Sequence, residues 1–324
     1  MRPTRPIRPA AAARAVAWGR ATTLAIVVAA PATAQACGPP PEAPRTRLVV
    51  LGTGTPNADP ERSGPATAVV VDDRAYLFDA GPGVVRRAAL AAREREIPAL
   101  EAPRLGRVFL THLHSDHTVG LPDLLLSPWV LGRVEPLEVF GPPGTTAMVD
   151  AIREAWSADL DVRLNGLEPH DENPEGYGAV AIDVQPGVVY RDDLVTVTAL
   201  RVVHGSFEMP LGYRVDGPDR TIVISGDAAP GDAIVEACKG CDVLVHEVYS
   251  AERFSTRPPE WQAYHSSFHT STVELAEIAN RARPGLLVVY HQLFWGTDDD
   301  GLIREIRAAG YAGPLASARD LDVY

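Results

Sequence analysis

Three observations predict an α/β fold for this chain. Apolar runs of strand length alternate with amphipathic stretches of helix length in both halves of the sequence. Gly, Pro and Asp clusters punctuate most of the junctions, as turns require. Several of the apolar runs stop abruptly at a His or Asp, the arrangement of a sheet whose strand ends carry chemistry. At 324 residues and 46% hydrophobic content, the chain is long and apolar enough to bury a large core.

The elements follow in order. The folded part is expected over 47–324, opening with a strand at 48–51 that runs into the turn-rich Gly52-Thr53-Gly54-Thr55-Pro56. That loop lacks the Lys-Ser/Thr and following helix of a phosphate loop. Strands are expected at 66–71 and 75–78. Asp79-Ala80-Gly81-Pro82-Gly83 then turns into a helix over 84–95, and Asp79 stands where a carboxylate orients either a loop or a ligand histidine. After the run 108–110 come a leucine-rich helix over 121–131, a strand at 137–140 and a helix over 145–156. The polar region 159–178 reads as loop, with His170 as a surface histidine. The stretch 194–203 alternates as a half-buried strand. Three more apolar runs follow: 222–224 leads to Ser225-Gly226-Asp227, 243–245 to His246-Glu247, and 286–290 to His291. A helix at 232–237 precedes the second run. Ser271-x-x-Glu274 forms a capping box that starts another helix before the third, with Leu275, Ile278, Ala279 and Ala282 as its buried stripe.

The segment 107–123, RVFLTHLHSDHTVGLPD, concentrates candidate ligands. Val108-Phe109-Leu110 ends at Thr111, and His112, His114, Asp116 and His117 follow within six residues. His112 and His114 alternate on an extended chain and point the same way. Imidazole and carboxylate donors suit zinc, with iron and manganese behind it. His204, Asp227 and His291 each lie just past another apolar run, so separate strand ends converge on one place.

Charge and the N-terminus narrow the function classes. Arg2, Arg5, Arg8, Arg14 and Arg20, the apolar stretch 24–30 and Ala34-Gln35-Ala36 together read as a secretory signal over 1–36, hence export to the periplasm. Cys37 follows at once, so its lipidation is a competing reading. A Pro-rich linker at 37–46 leads into the domain, and no later stretch is long and apolar enough to span a bilayer. The formal net charge of −12 disfavours nucleic acid as a partner, since polyanion binding needs clustered Lys and Arg. A small substrate is not disfavoured, and homodimer formation is compatible with such a chain. Cys238-Lys-Gly-Cys241 is a lone C-x-x-C, either a local disulfide or two separate thiols.

As an ordered set, THLHSDH at 111–117, His204-Gly205, Gly226-Asp227 and His291 resemble the metallo-β-lactamase superfamily of metallo-hydrolases. LGTGTP at 51–56, FDAGPG at 78–83, GYR at 212–214, HEV at 246–248 and HTST at 269–272 resemble the branch shared by ribonuclease Z and secreted arylsulfatases. The resemblance implies a four-layer αβ/βα sandwich with two zinc ions (Zn2+) at one edge. It assigns His112, His114 and His204 to one ion, Asp116, His117 and His291 to the other, and Asp227 as the bridge. Water activated between the metals is then the nucleophile, and Asp116 can accept its proton. His269 is implied to assist the leaving group, oriented by Glu247. His246 and His265 inherit no role and are expected as packing.

The substrate is a separate question. Bacterial ribonuclease Z proteins carry a long arm for tRNA between the third-motif His and the bridging Asp, whereas only positions 205–226 separate His204 from Asp227 here. The leading expectation is therefore an exported zinc hydrolase of small esters, arylsulfatase-like or phosphodiesterase-like. Trp129, Phe207, Phe294 and Trp295 are candidates for an aryl pocket, or else ordinary core. The alternatives are a tRNA 3′-endonuclease, a lactonase or β-lactamase (with Tyr213 or Tyr290 near the site), and a zinc-binding protein without turnover.

Overall fold

The computed structural model describes residues 44–168 and 173–324. The signal segment, Cys37 and His170 lie outside the described residues. Thr46–Gly52 (β1), Ala66–Val71 (β2) and Arg74–Phe78 (β3) form an antiparallel meander. Val84–Glu94 (α1) carries the chain to Arg107–Phe109 (β4), which lies parallel to β3. A single helical turn, Ser115–Thr118 (α2), and Leu121–Val130 (α3) lead to Leu137–Gly141 (β5). Thr145–Ala155 (α4) and Ser157–Asn165 (α5) precede Ala179–Asp183 (β6), giving a six-stranded sheet in the order β1 to β6.

The second half mirrors the first. Gly187–Arg191 (β7), Thr196–Arg201 (β8), Leu211–Asp216 (β9) and Thr221–Ile224 (β10) pair antiparallel. Asp232–Cys238 (α6) crosses to Val243–Tyr249 (β11), parallel to β10. Ala251–Phe254 (α7), Pro259–Phe268 (α8) and Thr272–Ala282 (α9) precede Leu286–Leu293 (β12), and Asp299–Ala308 (α10) precedes Leu315–Ser317 (β13). The resulting seven-stranded sheet runs β13-β12-β11-β10-β9-β8-β7.

Three apolar layers hold these elements together, as four stacked layers of secondary structure require. Alternate residues of β1–β5 pack outward on α1 and α3. Their opposite faces meet the second sheet, with Phe78, Phe109, Phe140 and Tyr213 stacked at the centre. The outer face of the second sheet packs on α6, α9 and α10. This is the αβ/βα sandwich expected from the sequence.

Local rules explain much of the placement. The capping box is present: Ser271 Oγ accepts from the Glu274 amide, and the Glu274 carboxylate accepts from the Ser271 amide. Cys238 and Cys241 form a disulfide across the turn that ends α6. One expectation needs correction: the start of the supposed loop 159–178 is the helix α5. Only Leu160 of α5 is buried, so it lacks an apolar stripe to reveal it. Pairs one turn apart support it instead, Arg163 on Asp159 and Asn165 on Asp161. Among the described residues, no helix is long and apolar enough to cross a membrane.

Candidate metal centre

Backbone geometry at four strand ends gathers the ligand candidates. After β4, the Thr111 amide donates to Asp79 Oδ1 at 2.7 Å and its hydroxyl to Oδ2 at 2.9 Å. Asp79 itself has a φ of 62°, an uncommon conformation for a non-glycine residue and one of three such residues around the site. The turn α2 then folds Asp116 and His117 back beneath His112. His204 follows β8, and Gly205 after it has a φ of 51° with the Phe268 ring on its Cα. A Cβ there would lie 2.0 Å from that ring, so only glycine fits. Gly226, before Asp227, is bound by the same logic, with a φ of 62° and Thr111 Cβ at 2.7 Å from a built Cβ.

His291 reaches the site by a different device from the one its sequence suggests. The expected strand end is not there, because β12 continues to Leu293. In the ladder with β11, Tyr290 pairs with Glu247 and Gln292 with Val248, leaving His291 as the extra residue of a bulge at a φ of 45°. A bulge re-aims one side chain out of the alternation of a strand. Glu247 likewise lies inside β11 rather than beyond it.

All seven predicted ligands meet. His112, His114, His204 and Asp227 form one group, and Asp116, His117 and His291 another, with candidate donor atoms in each within 4.8 Å of one another. Asp227 lies between the groups: its Oδ1 is 3.4 Å from His117 Nε2, and its Oδ2 is 3.4 Å from His291 Nε2 and 4.0 Å from His112 Nε2. Asp116 Oδ2 stands 3.3 Å from His291 Nε2 and 3.6 Å from His117 Nε2.

The hydrogen bonds around these rings fit cation binding. His117 Nδ1 faces Asp79 Oδ2 at 2.8 Å, and His204 Nδ1 faces the Phe268 carbonyl at 2.7 Å, so both rings donate outward through Nδ1 and turn Nε2 inward. Thr111 spends its hydroxyl proton on Asp79, so His112 Nδ1, 3.0 Å away, donates to Thr111 Oγ1. The Nε2 atoms of His112 and His204 therefore both present lone pairs to His114 Nδ1, at 2.9 and 3.1 Å. One ring N–H cannot satisfy both, whereas a shared cation satisfies all three nitrogens. His117 Nε2 and Asp227 Oδ1 are buried with no hydrogen-bond partner, as suits atoms that ligate a cation. Charge separates the two groups as well. Burial and the neighbouring His117 hold His112 well below the ordinary imidazole value. Burial also opposes the charged form of His117, yet the carboxylates of Asp227 and Asp79 hold it well above that value. Asp227 remains ionised despite complete burial because His291 and His117 face it.

Glu247 and His269 complete the site. Glu247 is fully buried; its Oε1 accepts from the Thr270 amide at 2.7 Å, and Oε2 stands 3.4 Å from His269 Nδ1. The same ring nitrogen lies 3.9 Å from Asp227 Oδ2. Burial raises Glu247 well above the carboxylate range and lowers His269 to about 4. His269 lines a cleft of about 380 Å³ together with His114, Asp116, Asp227 and His291, and Glu247 stands behind it.

Several expectations change. Trp129 is fully buried on α3, and Phe294 packs in the outer core of the second sheet under Arg62, so neither lines the cleft. Phe207 packs edge-on against His112 and His114, and Trp295 does line the cleft. Tyr213 is buried with its hydroxyl on the Leu110 carbonyl, and Tyr290 is buried in the inter-sheet core. His246 is packed within β11. Sequence reasoning missed Arg257, Trp261 and Tyr264 in the cleft wall and took for packing a fourth residue there, His265. The i, i+3, i+4 spacing of the last three was the available signal, since it puts them on one helix face.

Comparison with known proteins agrees with this geometry. Residues 74–292 match the β-lactamase superfamily domain. The chain is 31% identical over 278 residues to a protein named ribonuclease Z from Mycobacterium bovis, covering 85% of this chain and 96% of the relative. A ribonuclease Z from a Mycobacterium species is 34% identical over 249 residues, covering 76% and 84%. Among solved structures, the metallo-β-lactamase fold protein YhfI from Bacillus subtilis aligns with a TM-score of 0.64 at 20% identity, over 86% of this chain and 98% of that one. Human tRNase Z, short form, aligns at 0.62 and 22% identity over the same shares. Sequence motifs, fold and paired His/Asp groups thus agree, and the chain belongs to the metallo-β-lactamase superfamily, with ribonuclease Z proteins among its relatives.

Proposed function

We propose that this protein is a metal-dependent phosphodiesterase that holds two zinc ions, and that tRNA, the nucleic acid in the name of the human tRNase Z, is the first substrate to test. The observation that carries the reading is the Glu247–His269 pair, 3.4 Å apart and beside the metal-ligating groups. His112, His114 and His204 would hold one ion, Asp116, His117 and His291 the other, and Asp227 both. Metals held there supply Lewis acidity and make water a nucleophile at neutral pH. Asp116 accepts a proton from the attacking water. Glu247 orients His269 through Nδ1, which turns Nε2 to the substrate to deliver a proton to the leaving oxygen. A phosphate anion arriving beside His269 favours the imidazolium and offsets the burial that draws its pKa down to about 4.

The relatives speak against the expectation that nucleic acid is disfavoured as a partner. The absence of an arm does not set this chain apart from them, because the alignment spans 96% of the Mycobacterium bovis protein in 278 residues.

A second reading, an exported arylsulfatase-like hydrolase of small esters, is favoured by a specific observation. The whole chain carries a formal charge of −12, which suits a small ester better than a polyanion. The Cys238–Cys241 disulfide suits an oxidising compartment and the proposed export. The lactonase reading loses its tyrosines, since Tyr213 and Tyr290 are buried away from the cleft. A non-catalytic role leaves the Glu247–His269 pair without a purpose. Purified metal-loaded protein assayed on pre-tRNA, bis(4-nitrophenyl) phosphate, 4-nitrophenyl sulfate, a lactone and a cephalosporin separates these readings. Hydrolysis of the phosphodiesters is expected; turnover confined to the sulfate, lactone or cephalosporin would overturn the proposal.

A further inference from the structure

Between Glu247 and His269 the chain inserts α7 and α8, and one face of α8 closes the far side of the cleft. Trp261, Tyr264 and His265 share that face, and Trp295, held at a φ of 47°, stands opposite with its ring centroid 4.6 Å from that of His265. Arg257 lies over the Trp295 ring, 5.2 Å from its centroid. Two features are unexplained by packing. His265 is 6% exposed, yet neither of its ring nitrogens has a hydrogen-bond partner. Arg257 Nε is also buried and unpartnered. Trp261, packed on His265 and Tyr264, leaves 47% of its surface exposed at the cleft rim.

We propose that Trp261, Tyr264, His265 and Trp295 form a recognition subsite for a planar aromatic ring carried by the ester, with Arg257 drawing its negative charge. The proposal rests on the phosphodiesterase reading and names the substrate feature that reading leaves open. Aromatic walls bind any flat π-face, so the ring is an aryl group or a nucleobase, and a cation stacked on Trp295 adds attraction for an anionic ester. The unpartnered nitrogens of His265 give a buried donor and acceptor to a polar substituent on that ring. Burial holds this imidazole to about 4, so it is neutral and offers one of each. Its position suits the role: the His265 and His269 ring centroids are 5.7 Å apart, so a ring seated here lies next to the group that serves the leaving oxygen.

The test is calorimetric binding of three probes to metal-loaded protein: methyl phosphate, 4-nitrophenyl phosphate and adenosine 5′-monophosphate. At least one aromatic probe is expected to bind about tenfold or more tighter than methyl phosphate, as one good stacking contact gives. Whichever aromatic probe gains more identifies the source of the ring. Trp261→Ala, on an exposed helical position, is expected to narrow the gap to within about threefold while leaving methyl phosphate unchanged. His265→Phe keeps the packing and is expected to weaken only the aromatic probes. Equal binding of all three probes to the unaltered protein, no binding of any, or a gap untouched by both variants would overturn the subsite. Turnover of bis(4-nitrophenyl) phosphate is measured separately. An aromatic gap without turnover leaves the subsite standing and removes the phosphodiesterase reading; turnover without a gap does the reverse.

Discussion

The Asp79 carboxylate accepts a hydrogen bond from His117 Nδ1 at 2.8 Å, inside a core from which both side chains exclude water. The same carboxylate binds the Thr111 amide and hydroxyl, and through that hydroxyl it also fixes the tautomer of His112. One buried acid thus orients a ligand candidate in each of the two groups.

Asp79→Asn keeps the size of the side chain but replaces the acceptor facing His117 with an amide. Metal affinity is expected to fall by about 10–100-fold, as for other groups that orient ligand histidines. Competition with a chromophoric chelator reads this directly, and an unchanged affinity would show that Asp79 serves the turn alone.

Among the described residues, Asp227 is the only carboxylate placed between both groups, so Asp227→Ala should empty more than one position. Metal analysis of the variant is expected to give less than about one equivalent per chain, whereas His114→Ala, at the half-buried rim, should retain the Asp116, His117 and His291 position. Equal metal content in the two variants would contradict the bridging role.

For His269, substitution by Ala should lower turnover by about 10²–10⁴-fold for poor leaving groups and much less for 4-nitrophenol. Glu247→Gln should lower it less and move the pH profile, since it alters the orienting group and not the donor. A uniform loss across leaving groups would exclude proton delivery by His269.

Much of this was legible from the chain, and the limits have physical causes. His112, His114, Asp116 and His117 could be read because their spacing is local: an extended step followed by one helical turn brings them together without help from the rest of the fold. His204-Gly205 and Gly226-Asp227 were legible as strand ends, but the reason for each glycine, the Phe268 ring and Thr111 methyl above it, is a long-range contact. His291 was found and its setting misread, because a bulge depends on the register between β11 and β12 and leaves no mark in the run 286–290. The helix α5 was missed because a polar helix held by side-chain pairs has no apolar period to detect. His265 was taken for packing, although its place four residues before His269 already puts the two rings on successive turns of one helix. The contact that spacing does not record is the one with Trp295, which meets the His265 ring from 30 residues further along the chain.

Buried His246 gives a pH test independent of metal. Burial lowers its pKa to about 4 from the ordinary 6.5. Between these values the unfolded chain binds a proton that the folded one refuses, so stability falls as pH drops from about 6.5 towards 4. The contribution lost between pH 7 and pH 5 is roughly 2 kcal/mol. His246→Phe should remove it, so urea unfolding of the variant is expected to depend less on pH by about that amount. An identical pH dependence in the two proteins would mean that His246 is charged, or exchanges its proton freely, in the fold.

The most direct test of a dinuclear phosphodiesterase is stepwise reconstitution of chelator-treated protein with zinc, following turnover of bis(4-nitrophenyl) phosphate against equivalents added. The expected result is negligible turnover without metal and a rise that reaches its plateau near two equivalents per chain. Full turnover in metal-free protein, or none at any loading while the metal binds, would contradict it.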